Sequence, residues 1–136
     1  MNSWFDNCKN LTILIDFQNL DVSNCEDFSY TFFSCKNLKN ISSLKNWNVS
    51  NGIDFAYMFS NYTSLQDISA LANWNVVNGE DFEGMFNYCV SLKEIHLPDT
   101  LCKLRTNMFQ DCNPKLKIYW KNKIYTYEDL QTYEYL

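Results

Sequence analysis

The sequence predicts an α/β solenoid of about four coils, built from parallel strands and short helices and closed by a C-terminal β-hairpin and helix. Two observations predict this fold. Matching positions recur at a constant spacing of 27 residues, as in Cys8, Cys35, Tyr62 and Cys89. Residues 116–136 then break the period, as expected of an atypical segment that covers the end of a stack.

The repeat unit is clearest in the stretch that runs from Phe82 to Ile95. Related copies run from Phe55 to Ile68 and from Phe28 to Ile41, and a shorter copy opens the chain. One unit cannot bury its apolar side alone, so we expect the copies to stack around a shared interior. The whole chain, residues 1–136, is predicted to be one domain. Its coils are placed at about residues 4–30, 31–57, 58–84 and 85–112, with the cap at 113–136.

Each copy contains a short segment that begins with Leu and is predicted to be a β-strand. The first of these, Leu11–Phe17, is apolar and β-branched. The other three are Leu38–Ser42, Leu65–Ser69 and Leu92–Leu97. Pro98 should end the last strand because proline has no N–H to donate to a ladder. Stacked units would place such strands side by side and parallel, about 4.8 Å apart.

A helix of about two turns is predicted after a second apolar block in each copy. Phe82, Phe86 and Cys89 lie at positions i, i+4 and i+7, which is one face of a helix. We interpret the recurring Asn24, Asn51 and Asn78 as helix N-caps. Trp47 and Trp74 lie in the preceding block, where corner packing is the main interpretation and binding of a sugar or peptide the alternative.

The end of the chain predicts a different structure. The segments 116–120 and 123–126 flank Lys121 and Asn122, a pattern typical of a β-hairpin. A final helix, Tyr127–Tyr135, is predicted to be capped by Thr126. At the other end of the stack, Trp4 and Phe5 are expected to cover part of the first coil.

Composition narrows the classes of function. The formal net charge is −5, whereas phosphate binding needs clustered Lys and Arg, so nucleic acid is not an expected direct partner. No export signal and no apolar run of about 18 residues is visible, so no membrane partner is expected. The predicted location is cytoplasmic, or the cell surface if the chain is a fragment of a longer protein.

The cysteines that share one position of the repeat are predicted to be buried free thiols. Four of the six share one repeat position: Cys8, Cys35, Cys89 and Cys112. Tyr62 takes that position in the other copy, which favours packing over a disulfide. The chain has no Cys-x-x-Cys pair and a single histidine, so we expect neither structural zinc nor another cofactor.

His96 and a series of aspartates are the candidates for chemistry. His96 lies in a predicted strand and should point outward beside Glu94, but no nucleophile motif accompanies it. We therefore predict no catalytic residue and no enzyme. Asp27, Asp54 and Asp81 recur with the period; helix capping is the main interpretation of this column, and a calcium site is the alternative.

The repeat also resembles a known family. The pattern Met-Phe-x-x-Cys-x-Ser-Leu-x-x-Ile at 85–95, and Asn-Trp-Asn-Val at 73–76, resemble the BspA-like leucine-rich repeat of bacterial surface proteins. Residues 92–101 with the later Phe109-Gln-Asp-Cys112 are similar to a shorter variant of that repeat. The resemblance covers about residues 4–120. It implies a leucine-rich-repeat solenoid, and members of the family are commonly secreted or anchored adhesins.

The strand-lined surface is the predicted binding site. On the later coils its outward residues are Lys39, Asn40, Ser42, Gln66, Asp67, Ser69, Lys93, Glu94 and His96. The first coil would add Thr12 and Leu14, or Ile13 and Ile15 in the other register. A polar surface on a rigid scaffold predicts non-enzymatic protein binding through this face or its rim.

Two alternatives remain for the function. One is a small acidic inhibitor inside the cell, of phage or mobile-element type, for example against a host defence nuclease. Its partner would then be a basic nucleic-acid-binding protein. The other is a fragment of a surface adhesin. The predicted assembly is a monomer or an oligomer paired edge to edge.

Overall fold

The computed structural model describes residues 15–132, with side chains from Phe17 onward. The predictions made for Trp4, Phe5, Cys8, residues 11–14 and the end of the last helix lie outside these residues. These residues form four 3₁₀ helices (η), three strands and one α-helix, given next in chain order. They are η1 (Ile15–Asn19), η2 (Ser42–Asn46), η3 (Ser69–Leu71), β1 (Glu94–His96), η4 (Thr106–Met108), β2 (Lys117–Trp120), β3 (Lys123–Thr126) and α1 (Tyr127–Thr132).

Successive copies of the repeat lie against one another and are joined by backbone hydrogen bonds. The Phe28 N–H donates to the carbonyl of Asp54 at 2.7 Å, and the Phe55 N–H donates to that of Asp81 at 2.8 Å. Every second N–H continues the pattern: those of Tyr30, Phe32 and Ser34 donate to the carbonyls of Ala56, Met58 and Ser60, each at 3.0 Å. The copies therefore run side by side in the same direction, and the bridges of Asp54 to Asp27 and Asp81 are parallel.

Columns of stacked phenylalanine rings form the centre of the core. In one column the ring centroids of Phe28 and Phe55 are 5.3 Å apart and those of Phe55 and Phe82 are 5.2 Å apart. A second column continues through four copies: Phe32, Phe59, Phe86 and Phe109. Its rings are all buried. The last step of this column spans 23 residues, so the shorter copy at the end keeps the same packing.

The two repeat tryptophans pack in the core, as the main interpretation predicts. Trp47 and Trp74 are 4% and 3% exposed. Each indole N–H donates at 2.9 Å to a carbonyl of the preceding copy, that of Phe17 for Trp47 and that of Leu44 for Trp74. Each ring therefore fills the interior and also fastens one copy to the one before it.

The helices predicted after each apolar block are wrong: residues 28–35, 55–62 and 82–89 form successive turns. The backbone is left-handed at Tyr30 and Ser34, with φ of 55° and 58°, and again at Tyr57 and Asn61. Such turns repeat every four residues, so Phe28 and Phe32 still face the core, as they would in a helix. Every second N–H therefore donates to the next copy, whereas an α-helix would use these N–H groups for hydrogen bonds within the helix.

The strands predicted at 38–42 and 65–69 are also wrong, because these segments lead into η2 and η3. The Oδ1 atoms of Asn40 and Asp67 accept the N–H of Ser42 and Ser69, each at 2.8 Å, which turns the chain. Glu94 occupies the equivalent position in the next copy and has one more methylene group than Asp67. That copy continues as strand β1. The end of the predicted first strand likewise falls in η1, a 3₁₀ helix.

Two of the three predicted N-caps, Asn51 and Asn78, instead join copies. Their Nδ2 groups donate to the carbonyls of Ser23 and Ser50 at 2.7 and 2.8 Å. The aspartates of the Asp27 column cap turns rather than helices; Asp27 Oδ1, for example, accepts the Ser29 N–H at 2.9 Å. A side chain that caps a helix and one that closes a turn have the same sequence signature, so the pattern alone did not separate them.

The predicted hairpin is confirmed, as is the Thr126 cap of the final helix. β2 pairs with β1 in parallel and with β3 antiparallel. Lys121 and Asn122 have φ of 48° and 62°, as a type I′ turn requires. The Thr126 Oγ1 accepts the Asp129 N–H at 3.1 Å, and Asp129 Oδ2 accepts the Thr126 N–H at 2.7 Å, which is a capping box.

Candidate recognition surface

All nine residues predicted to point outward are exposed. Three apolar pairs between them are buried, namely Leu38 and Ile41, Leu65 and Ile68, and Leu92 and Ile95. We call the surface formed by the nine the strand-side face: Lys39, Asn40, Ser42, Gln66, Asp67, Ser69, Lys93, Glu94 and His96. The face exists even though only its last copy contains a regular strand.

Neighbouring copies bring charged groups of this face close together. Hydrogen bonds from the Ser69 N–H and hydroxyl lower the pKa of Asp67, and the nearby His96 lowers it further. Within one copy, the His96 Nε2 lies 3.5 Å from Glu94 Oε1, and both side chains are at least half exposed. These groups lie in open solvent, where their charges are available to a partner.

The C-terminal cap extends the face by one row that the sequence pattern did not reveal. Lys117 pairs with Glu94 and Tyr119 pairs with His96 across β1 and β2. The rings of His96 and Tyr119 are stacked, with centroids 4.3 Å apart and planes 4° from parallel. The alternation in Lys117–Trp120 was visible in the sequence, but the register that places it beside β1 was not.

A cavity of about 450 Å³ lies at the hairpin end of the face. Its lining residues include His96, Tyr119, Trp120 and Ile124. The charged residues of the lining are Asp99, Lys121 and Lys123. The Lys121 Nζ lies 4.6 Å from the centre of the Trp120 ring, a cation–π contact. This end of the face therefore combines aromatic surface with positive charge.

A second cavity, of about 470 Å³, lies beside the aspartate column. Glu80, Asp81 and Glu83 line one part of it and Lys103 and Arg105 another. Desolvation raises the pKa of Asp54 in the column, and the charges of Asp27 and Asp81 add to the effect. Among residues 15–132 no cluster of three or more His, Cys, Asp or Glu side chains is arranged to hold a metal ion.

The cysteine column packs in the core, as predicted for its described members. Cys35, Cys89 and Cys112 are buried, and Cys89 and Cys112 are free thiols. The Cys112 thiol donates to the Phe86 carbonyl at 2.9 Å. Burial raises the pKa of Cys112 to about 11 and also raises that of Cys89. Thiols held protonated in this way are poor nucleophiles and poor metal ligands.

Comparison with known proteins places the chain in a family. Within the described part of the chain, no helix is long and apolar enough to cross a membrane. No curated protein and no solved structure matches the chain. Residues 1–118 match a family model described as "Mycoplasma protein of unknown function, DUF285". Because the match covers most of the sequence, the chain belongs to the DUF285 family of mycoplasma proteins.

Proposed function

We propose that this chain is a non-enzymatic protein-binding module in which the strand-side face contacts the partner. We further propose that its stacked copies form a leucine-rich-repeat solenoid of the BspA-like type. The backbone hydrogen bonds between copies and the continuous phenylalanine columns support this architecture. In repeat proteins of this kind, the stacked scaffold fixes the positions of surface side chains that are free to vary.

One observation carries the proposal: the nine residues of the strand-side face are all exposed, while the apolar residues between them are buried. None of the nine is needed to fill the core. The face also has ordered geometry, because Asn40 and Asp67 fix their turns with hydrogen bonds to the backbone. A rigid polar surface costs little entropy when it binds, which favours recognition.

A second candidate function is inhibition of a basic nucleic-acid-binding protein. The observation that favours it is the charge of residues 16–83, which contain nine carboxylates and three lysines: Asp16, Asp21, Glu26, Asp27, Asp54, Asp67, Glu80, Asp81 and Glu83 against Lys36, Lys39 and Lys45. Such a surface would occupy the groove in which the partner holds phosphates. Binding through the aspartate column, lost in high salt, would favour this candidate.

Affinity capture with matched variants tests the main proposal. The tagged protein and the double variant Lys39→Glu with Lys93→Glu are used to capture proteins from a mycoplasma lysate. A captured protein is then purified and titrated against both. We expect the double variant to weaken binding at least tenfold, because both substitutions reverse charge on the proposed contact face.

The control is Lys103→Glu with Arg105→Glu, which makes the same change in net charge beside the aspartate column. It should leave binding within about twofold. Equal weakening by the two double variants would show that net charge, not the strand-side face, governs binding. A partner unaffected by Lys39→Glu with Lys93→Glu would remove the face from the proposal.

A further inference from the structure

We infer that the cavity at the hairpin binds an extended acidic peptide segment of the partner protein. This inference rests on the proposed function, because the cavity shares His96 with the strand-side face. It is more specific, since it names the chemistry of the bound segment and how it is held. Three features of the hairpin support it: its charge, its exposed apolar surface and a strand edge that is unpaired in the described part of the chain.

The charge around the cavity is positive. Lys121 and Lys123 line it and are exposed, and Asp99 is the one acidic residue of the lining. Lys117 is exposed one row away on β2, where it pairs with Glu94. The rest of the chain is acidic enough to give a net charge of −5. A local excess of lysine on an acidic protein favours a ligand with carboxylates.

A row of two aromatic rings and one aliphatic side chain crosses the three strands at the same place. The register aligns His96 with Tyr119 and Tyr119 with Ile124. Ile124 is 61% exposed, which is high for a large aliphatic side chain in a strand. An extended segment has side chains on alternating sides, so beside β3 one set would continue this row next to Ile124 while carboxylates on the other side would lie near Lys123.

Among residues 15–132, no strand pairs with the outer edge of β3, which lies beside the row. The Leu97 N–H donates to the Tyr119 carbonyl at 2.9 Å, so the polar backbone groups of Tyr119 point toward β1. Tyr119 is paired with Ile124, and the alternation of an antiparallel ladder therefore turns the N–H and C=O of Ile124 away from β2. An added strand can bond these groups, the mode known as β-augmentation.

Fluorescence anisotropy with a labelled decapeptide of alternating Glu and Val tests the inference on the full chain. We expect this peptide to bind at least tenfold more tightly than a Lys and Val peptide of the same length. Lys121→Glu with Lys123→Glu should weaken its binding at least tenfold. Lys36→Glu with Lys45→Glu, an equal charge change outside the cavity lining, should leave it within about twofold.

Ile124→Pro tests the strand edge itself. Proline removes the outward N–H of Ile124 without removing a hydrogen bond of the β2–β3 ladder, so the fold should survive, as thermal unfolding will show. We expect at least fivefold weaker peptide binding, whereas Ile124→Val should bind like the parent. Unchanged binding by Ile124→Pro, or equal weakening by both lysine pairs, would overturn the inference.

Two further outcomes would also overturn it. Dextran sulfate that competes equally with the parent and the Lys121→Glu, Lys123→Glu variant would show a general polyanion effect. A captured partner that loses affinity with Lys39→Glu and Lys93→Glu, yet binds the hairpin variants normally, would contradict the cavity while leaving the proposed function intact.

Discussion

At the scale of single residues, one carboxylate-to-backbone contact recurs in surroundings that change its electrostatics. The Oδ1 atoms of Asp54 and Asp67 both accept the N–H two residues further on, those of Ala56 and Ser69. Desolvation and neighbouring aspartates raise the pKa of Asp54. Hydrogen bonds from Ser69 and the charge of His96 lower that of Asp67. The charge of the carboxylate therefore weakens the turn at Asp54 and strengthens the same kind of turn at Asp67.

Asp54→Asn and Asp67→Asn should change stability in opposite directions. Asparagine keeps the acceptor oxygen, as Asn40 does in its own turn, so mainly the charge is removed. At pH 7 we expect Asp54→Asn to raise the free energy of unfolding and Asp67→Asn to lower it. Each change should be ~0.5 kcal/mol, because solvent screens both sites. Urea unfolding measures the two values, and changes of the same sign would contradict the prediction.

The pH dependence of stability at these two sites follows from the direction of each pKa shift. The folded pKa of Asp54 is above the ordinary value of 3.8, so its penalty is present at neutral pH and is absent below 3.8. The folded pKa of Asp67 is below 3.8, so its stabilisation is full above 3.8 and is lost as pH falls through the folded value. The effect of Asp54→Asn should therefore disappear at a higher pH than that of Asp67→Asn.

At the scale of elements, the repeated turns depend on left-handed backbone at fixed positions. Tyr30, Tyr57 and Gly84 occupy equivalent places and have φ of 55°, 55° and 61°. The Tyr30 and Tyr57 rings stack with centroids 5.1 Å apart. A Cβ added at Gly84 would lie 2.3 Å from the Tyr57 ring. The glycine thus ends a tyrosine stack and lets Tyr57 lie against the backbone.

Gly84→Ala should destabilise the protein by about 2–3 kcal/mol. About 1 kcal/mol comes from placing alanine at positive φ, and the rest from displacing Tyr57, whose hydroxyl donates to Glu83 at 2.9 Å. In a Tyr57→Ala background the same substitution should cost only the backbone part. Urea unfolding of the four proteins separates the two effects. An equal cost in both backgrounds would show that the close approach to Tyr57 is unimportant.

At the scale of the whole molecule, stability depends on contacts between neighbouring copies. Successive copies are joined by backbone hydrogen bonds and by two columns of phenylalanine rings, one of three rings and one of four. In such a stack the free energy of folding is approximately a sum of copies and of interfaces between neighbours. The end of the stack carries α1, whose Leu130 is buried. Removing one whole copy should therefore leave the remaining contacts intact.

Deletion of residues 54–80 should give a shorter protein that still folds. It joins Ile53 to Asp81, so Phe28 and Phe32 would stack on Phe82 and Phe86 in place of Phe55 and Phe59. We expect a monomer with one cooperative thermal transition at a lower temperature than the parent. Deletion of 54–67, about half a period, should abolish that transition. A failure of the 27-residue deletion to fold would contradict the proposed solenoid.

Much of the fold and of the surface was predictable because the repeat acts as an internal comparison. The recurring Phe and Leu positions indicated the core, and the polar positions between them indicated the nine exposed residues. The hairpin was predictable from its local pattern, and Thr126 was predictable as a cap. Residues Lys117 and Tyr119 were missed, because their addition to the face depends on the register of β2 against β1.

The sequence by itself determined the period, the identity of the buried residues and the structure of the cap, since these follow from side-chain pattern and local turn chemistry. The tertiary structure decided the conformation of the backbone between the buried positions. Residues 28–35 form turns because every second N–H bonds to the next copy, a distant acceptor that no local pattern contains. For the same reason, the side chains of Asn51 and Asn78 donate to carbonyls of the preceding copies rather than cap a local helix. The outer edge of β3 is unpaired within the described structure, because the sheet ends there.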